Sequence, residues 1–273
     1  MKSQAFLSAL LISLGVKVLY DTFSVSVNKI RIENDKWTNE KPLRLVQITD
    51  MHNRKFGKNN KRVFRQLEKF TPDIVLLTGD LIDRSTKGFR HVESFIEELT
   101  TRYEHVYFVN GNHECEHPKQ THLHDILIQK GVTVLINENA ICRLKNGTIN
   151  IIGINDAATD HDDLSKAMTG IDDKHYNLLL SHAPNIIWKE KSLVSRMNLI
   201  LSGHTHGGQI RLPFIGAPVI PEQKYPASYD QGIYDLHENS KLYIDKGLGT
   251  TRVPVRFFCS SQISYLEIFH HGK

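Results

Sequence analysis

Eight side chains able to bind a metal or move a proton recur at one kind of place in this chain: Asp50 and His52, Asp80, Asn112 and His113, His182, and His204 and His206. Each group closes a short apolar run. LRLVQIT ends at Asp50, DIVLLTG at Asp80, HVYFVNG at Asn112 and His113, YNLLLS at His182, and MNLILSG at His204. Taken singly, an aspartate after a strand is a helix cap or an Asx turn, and a histidine such as His182 is a satisfied structural group. Capping does not explain why every one of these termini carries a carboxylate, an amide or an imidazole. Asp-x-His and His-x-His set two side chains on the same side of an extended segment, because side chains alternate with period two. Carboxylate, imidazole and amide oxygen together suit Mn²⁺, Fe or Zn²⁺ better than Ca²⁺, which prefers all-oxygen shells.

Five such termini can meet only if a framework aligns their strand ends. From Leu43 onward, short apolar runs alternate with helical patterns, as at Val63, Phe64, Leu67 and Phe70 and again at Phe89, Val92, Phe95, Ile96 and Leu99. This is the grammar of βαβ units, whose ligands sit at the C-terminal ends of the strands. A third helix is expected over 122–130. Strands follow at 132–136, 140–144 and 149–154, then at YNLLLS, MNLILSG, QGIYDL, KLYID and ISYLEIF. So many strands must fold onto a second sheet, and the economical architecture is a four-layer αββα sandwich: two mixed β-sheets face to face, flanked by helices.

Neither an internal repeat nor a Pro/Gly/Ser linker divides residues 21–273, which are expected to form one domain. At 40% hydrophobic and 23% charged residues, the composition excludes collagen-like, low-complexity and disordered chains. A net charge of +4, spread along the chain, is too small for a nucleic-acid footprint. Cys115, Cys142 and Cys259 are odd in number and lack paired spacing, so no disulfide framework is expected. Residues 1–20 stand apart. Ala5 to Val16 is an apolar run between Lys2 and Lys17, and if Lys17 snorkels the run extends to Tyr20. It reads as a membrane anchor, or as a signal segment, that need not take part in folding. The alternative is a soluble N-terminal helix on a cytoplasmic protein. A strand is expected from Val25 to Ile32.

The blocks D-M-H (50–52), G-D-L-I-D-R (79–84), G-N-H-E (111–114), S-H (181–182) and G-H-T-H (203–206) resemble, in order, the five blocks of the calcineurin-like metallophosphoesterase superfamily. The resemblance runs from about Leu43 to Phe269. With G-G-Q-I-R-L-P (207–213), K-G-L-G-T-T (246–251) and the apolar N-terminus, the chain is similar to the bacterial membrane-associated branch that includes YkuE and YaeI. It implies the metallophosphoesterase fold and two divalent metal ions, Mn²⁺ first and Fe or Zn²⁺ next. Asp50, His52 and His206 would hold one, Asn112, His182 and His204 the other, and Asp80 would bridge them. The implied reaction is attack on phosphorus by a metal-bridging hydroxide. His113, adjacent to a ligand but not itself assigned to a metal, would donate the proton to the leaving oxygen. Asp83 and Arg84 match the positions that orient this histidine and contact phosphate.

The expected activity is hydrolysis of phosphodiester or pyrophosphate bonds. The substrates in view are lipid-linked or cell-envelope compounds such as nucleotide-glycolipid pyrophosphates. A phosphomonoesterase and a binding scaffold with an inactive site are the alternatives; an amidohydrolase would carry its His-x-His early in the chain rather than last. The basic run Arg54, Lys55, Lys58, Lys61 and Arg62 reads as the solvated start of a helix, and as a possible contact for anionic headgroups at a membrane surface. His117, His122 and His124 read as surface histidines, His270 and His271 as inert, and Glu114 as a buried acceptor. The Pro-rich stretch from Leu212 to Pro226 reads as a substrate-side loop.

Overall fold

The structure is a computed structural model that describes residues 2–221, 223, 228–237 and 239–270. A long helix, α1 (Lys2–Phe23), leads into β1 (Ser26–Glu33) and β2 (Leu43–Ile48). The βαβ grammar follows as α2 (Lys61–Leu67), β3 (Ile74–Leu77), α3 (Arg90–Arg102), β4 (Val106–Phe108), α4 (Asn112–Cys115), α5 (Gln120–Gln129) and β5 (Thr133–Val134). Next come β6 (Glu138–Leu144), β7 (Gly147–Gly153), α6 (Leu164–Ala167), β8 (Tyr176–Leu180), α7 (Ile186–Lys189), α8 (Lys191–Val194) and β9 (Leu199–Ser202). The chain closes with β10 (Gly232–His237), β11 (Ser240–Ile244) and β12 (Gln262–Phe269).

Among the described residues the strands form two six-stranded mixed sheets, ordered β1-β12-β2-β3-β4-β5 and β10-β11-β9-β8-β7-β6. Strand alternation sorts the core into three seams. Leu43, Leu45, Ile74 and Leu76 of the first sheet meet Ile149, Ile151, Leu178 and Leu201 of the second. Their neighbours Val46, Ile48, Val75 and Leu77 face outward onto Val63 and Phe64 of α2, Phe95 and Leu99 of α3 and Leu123 of α5. On the other side, Ile152, Leu179 and Ile200 pack on Leu164, Ile186 and Val194. The result is the expected four-layer αββα sandwich. The inner strands β3, β8 and β9 are buried along their whole length because both faces are covered, whereas the edge strands β1, β6 and β10 are partly exposed.

Register then places the chemistry. Parallel pairing aligns Ile48 with Leu77 and Leu77 with Phe108 in one sheet, and Gly153 with Leu180 and Leu180 with Leu201 in the other. All five polar loops therefore leave the sandwich at one edge. Gln47 ties the sheets together there, its amide donating to Thr78 Oγ1 at 2.8 Å and across the seam to Ser202 O at 2.9 Å.

Candidate metal centre

Asp50, His52, Asp80, Asn112, His182, His204 and His206 are all buried and converge at this edge. The backbone does it differently from the expected alternation along extended segments. Asp50 (φ 52°), His52 (φ 49°), Asp80 (φ 52°), His204 (φ 68°) and His206 (φ 53°) all lie in left-handed turns. Such turns cost energy in L-residues and persist where the surroundings over-determine them. Here they curl each loop back over its strand end, so Asp50 and His52 meet at His206 while His204 and His206 of the H-x-H pair address different partners. Gly111 makes room: a β-carbon on it would lie 2.2 Å from Asp80 Oδ1. Gly79, at φ +89°, brings its backbone against Gly111 and the His182 ring.

The donor atoms form two neighbouring sets. His206 Nε2 lies 3.0 Å from His52 Nε2 and 3.3 Å from Asp50 Oδ1. His204 Nδ1 lies 3.1 Å from Asn112 Oδ1 and 3.3 Å from His182 Nε2. Asp80 Oδ2 reaches both, at 3.3 Å from His182 Nε2 and 3.7 Å from His52 Nε2. Ring nitrogens about 3 Å apart match two ligands at right angles around one divalent cation, each at about 2.1 Å. The neighbouring shell is ordered to suit: His182 Nδ1–H donates to Thr78 O at 2.8 Å, which leaves the Nε2 lone pair turned to the site. Asp50 accepts from Thr49 Oγ1 at 2.8 Å and from His204 N at 3.1 Å. The donor set fits divalent metal ions.

Electrostatics agree. Burial, with Asp80 adjacent, lifts the Asp50 carboxyl to about 6. Asp80 is held well below the usual carboxylate range despite its burial, because His182, His52 and His113 surround it. His182, also opposed by burial, is pushed well above the ordinary imidazole range by Asp80 and Asp50. Burial drives His52 down to about 4, so it stays neutral and free to ligate. His52 and His206 are kept neutral by burial, and the one imidazole held protonated, His182, stands beside the two carboxylates where a divalent cation would take its proton's place.

His113 stands at the rim, Nε2 3.9 Å from Asp80 Oδ2 and its ring 4.6 Å from the His52 ring. The Arg84 backbone N–H donates to His113 Nδ1 at 3.1 Å, and the Arg84 guanidinium lies 3.1 Å from Nε2. Arg84 also pairs with Glu116 on the surface. Asp83 Oδ2 sits 3.7 Å from His113 Nδ1, beyond hydrogen-bond reach, and its Oδ1 accepts from Ser85 N and Oγ instead. Contact with His113 therefore runs through Arg84, with Asp83 acting as a nearby charge.

Two supports lie behind the donors. Glu114 is fully buried and accepts from Asp80 N at 2.7 Å, Gly111 N at 2.8 Å and Ile82 N at 3.1 Å, pinning two of the loops. Arg256 carried no motif signal. It is fully buried, and its guanidinium donates to Lys246 O at 2.6 Å, Gly249 O at 2.8 Å and His206 O at 3.2 Å, with His206 Nδ1 3.3 Å away. The available clue was a lone cation in the apolar run V-P-V-R-F-F, since an unpaired arginine there must be buried with partners.

Elsewhere the histidines divide. His117 is buried rather than on the surface: its Nε2 meets Thr86 O at 2.8 Å, a contact with a loop 31 residues away. His124 is half-buried against Asn110, His122 is exposed, and His271 lies outside the described residues. Of the stretch 212–226, Leu212 to Pro221 and Gln223 are described; Glu222 and 224–227 are not. Its described part walls a pocket of about 460 Å³ between Thr205 and His206 on one side and Ile210, Val219, Ile220 and Val253 on the other. The basic run starts at Arg54 and Lys55 in irregular loop, passes through a 3₁₀ turn at Lys58–Asn60 and reaches helix only at Lys61, where α2 opens.

Residues 43–208 match the family model described as calcineurin-like phosphoesterase. An uncharacterised metallophosphoesterase of Campylobacter jejuni is 31% identical over 274 residues, covering 96% of this chain and 67% of its own length. The uncharacterised metallophosphoesterase YkuE of Bacillus subtilis is 29% identical over 230 residues, 82% of this chain and 78% of its own. Among solved structures, a 5′-nucleotidase precursor from Thermus thermophilus aligns with 15% identity and a TM-score of 0.46, over 75% of this chain and 48% of its own. The chain thus spans about half the length of that structure.

Proposed function

Because the chain belongs to the calcineurin-like phosphoesterases and is a metal-dependent hydrolase of phosphoester bonds, we propose that its substrates are phosphodiesters or pyrophosphates, lipid-linked or from the cell envelope. The observation that carries this reading is the pair of donor sets sharing Asp80, with His113 beside them and an apolar pocket against His206.

Asp50, His52 and His206 would hold one divalent cation and Asn112, His182 and His204 a second, with Asp80 between. When bound, the cations, Mn²⁺ first and Fe or Zn²⁺ next, would supply a water of lowered pKa and neutralise phosphoryl charge. The chain's own residues do the rest. Arg84, at the rim, contacts a phosphoryl oxygen and fixes the His113 ring. Protonated on both nitrogens, with Nδ1–H turned from the Arg84 amide to the Asp83 carboxylate 3.7 Å away, His113 would give its Nε2 proton to the departing oxygen and be left neutral, and Asp83 would favour reprotonation.

A diester or pyrophosphate has a substituent on each side of the scissile bond, so the site must accommodate a second group. The pocket walled by Ile210, Val219, Ile220 and Val253 supports an apolar one. The span Gln4–Phe23 is long and apolar enough to cross a membrane by length and composition, which supports a membrane-held enzyme working on lipid-borne substrate. A hydrolysis panel with Mn²⁺ tests it: aryl diesters, aryl monoesters, nucleotide pyrophosphates and glycolipid-nucleotide conjugates. Diesters or pyrophosphates should turn over fastest, and a clear preference for monoesters would replace this reading with a phosphatase.

A further inference from the structure

No linker separates α1 from the catalytic framework. The expected break at residue 20 falls inside the helix, which continues to Phe23, and Asp21 and Thr22 are fully buried. The Asp21 carboxylate accepts from Lys17 Nζ at 2.6 Å, Phe258 N at 2.7 Å and Ser260 Oγ at 2.5 Å. Its carbonyl accepts from Ser261 N at 2.9 Å, and Thr22 Oγ1 accepts from Arg256 N at 2.8 Å. Upstream, Phe6, Leu11, Ile12, Val16 and Leu19 are exposed. Cations collar the exit: the Arg54 guanidinium lies 4.9 Å from the Phe23 ring, Arg62 donates to Phe23 O at 2.6 Å, and Lys61 and Arg65 are exposed nearby.

An apolar strip leads from this exit toward the site. Lys17 Nζ lies 5.1 Å from the half-exposed Phe258 ring, which packs on Phe257 at 4.5 Å. Phe257 bridges to Ile210, a wall of the pocket beside His206. The chain then enters a tight hairpin closed by Leu212 and Gly216, with Pro213, Phe214 and Ile215 at its tip. Phe214 is fully exposed at φ 68°. A bulky residue in the left-handed region is strained, and among the described residues nothing repays it with burial.

We infer that the hairpin tip, Phe258 and the cationic collar form one surface that lies on an anionic lipid bilayer, with the catalytic mouth held at the interface. This rests on reading α1 as a membrane helix and adds a second, independent contact. The part of α1 ahead of its buried last turn, Lys2 to Tyr20, spans about 28 Å, close to a hydrocarbon core of about 30 Å. Because Asp21 locks the last turn to Phe258, insertion of α1 sets Phe258 at headgroup level. The collar matches anionic headgroups, and the hairpin continues the same strip. A lipid surface satisfies the apolar tip and the cations together.

The test places tryptophan at the tip of the full-length chain, as Phe214→Trp and separately Ile215→Trp, in vesicles of phosphatidylcholine and phosphatidylglycerol. The parent chain, with Trp37 and Trp188, supplies the background. Both probes should shift their emission to the blue and be quenched by lipids bearing a nitroxide near the headgroup. Water-exposed, unquenched emission at both positions in inserted protein overturns the inference and leaves the tip to a protein partner. Extraction of the parent chain by carbonate overturns it too, through α1. Aryl diester turnover in the same vesicles keeps the two proposals apart. Hydrolysis without quenching sinks the surface alone, and quenching without hydrolysis sinks the activity alone.

Discussion

Replacing Asp21 by alanine asks whether α1 is bolted to the fold or merely trails from it. The carboxylate holds three partners of unequal worth. Lys17 lies one helical turn away and about a third of its side chain is exposed, so that pair resembles surface i,i+4 ion pairs of about 0.3–0.5 kcal/mol. Phe258 N–H and Ser260 O–H, at 2.7 and 2.5 Å, make charge-assisted bonds to a fully buried acceptor, each worth about 1.5–3 kcal/mol. Ser260 is half-exposed and can turn to water, whereas the Phe258 amide is fixed by its backbone. The expected loss is therefore about 2–4 kcal/mol, or on the order of 10 °C in unfolding midpoint for a chain of this size. Lys17→Ala should cost under about 0.5 kcal/mol. Full-length variants in detergent micelles, unfolded by heat and by denaturant and followed by circular dichroism, give both numbers. Equal losses for the two variants, or an Asp21→Ala loss within about 0.5 kcal/mol of zero, would refute the reasoning and return α1 to the status of a tether.

Four further outcomes are expected. Asp80→Asn should lower turnover at least about 10³-fold with the fold intact, and near-normal turnover with one metal per chain would remove Asp80 from its bridging role. His113→Ala should lower turnover roughly 10² to 10⁴-fold at full metal occupancy, less for substrates with good leaving groups; loss of metal would instead make His113 a ligand. Arg256→Met should cost at least about 3 kcal/mol in denaturant titrations, with Arg256→Lys a poor rescue because an ammonium cannot fork to three carbonyls; a fully stable lysine variant contradicts this. Cation binding should release about one proton near neutrality, from His182, and about two below pH 6, where Asp50 takes up its own. Calorimetry in buffers of unlike ionisation enthalpy counts them, and a count that does not rise on acidification speaks against the assignment.

The strands and their polar termini were legible because a parallel strand covered on both faces must be a continuous apolar run, and such a run stops where the chain turns. Ile74 to Leu77 is entirely buried and flanked by Asp73 and Gly79, so its limits are written locally. The convergence of Asp50, Asp80, Asn112, His182 and His204 follows from strand ends held in register. What alternation could not give was the left-handed turn at each donor, because φ at Asp50 is imposed by packing against Gly247, about two hundred residues away, and φ at His206 by packing against Arg256, fifty residues away, rather than by neighbouring residues. His117 fails for a similar reason. Its place on a helical pattern reads as surface, and only the return of the Thr86 loop buries it.

The longest-range contacts decide how the ends of the chain bear on the site. Asp21 and Thr22 close an apolar helix and look unremarkable in sequence, yet they bind a loop more than 230 positions away. That loop, 256–261, has three attachments. Its backbone holds the last turn of α1, Phe258 faces Lys17 beside the helix exit, and the Arg256 side chain grips His206 O and the neighbouring carbonyls. A displacement of α1 relative to the sandwich must therefore stretch bonds to Thr22 or move Arg256, and Arg256 cannot move without releasing His206. A helix that merely trailed from the fold would need none of these bonds. Their burial argues that α1 helps to hold the donor residues in place.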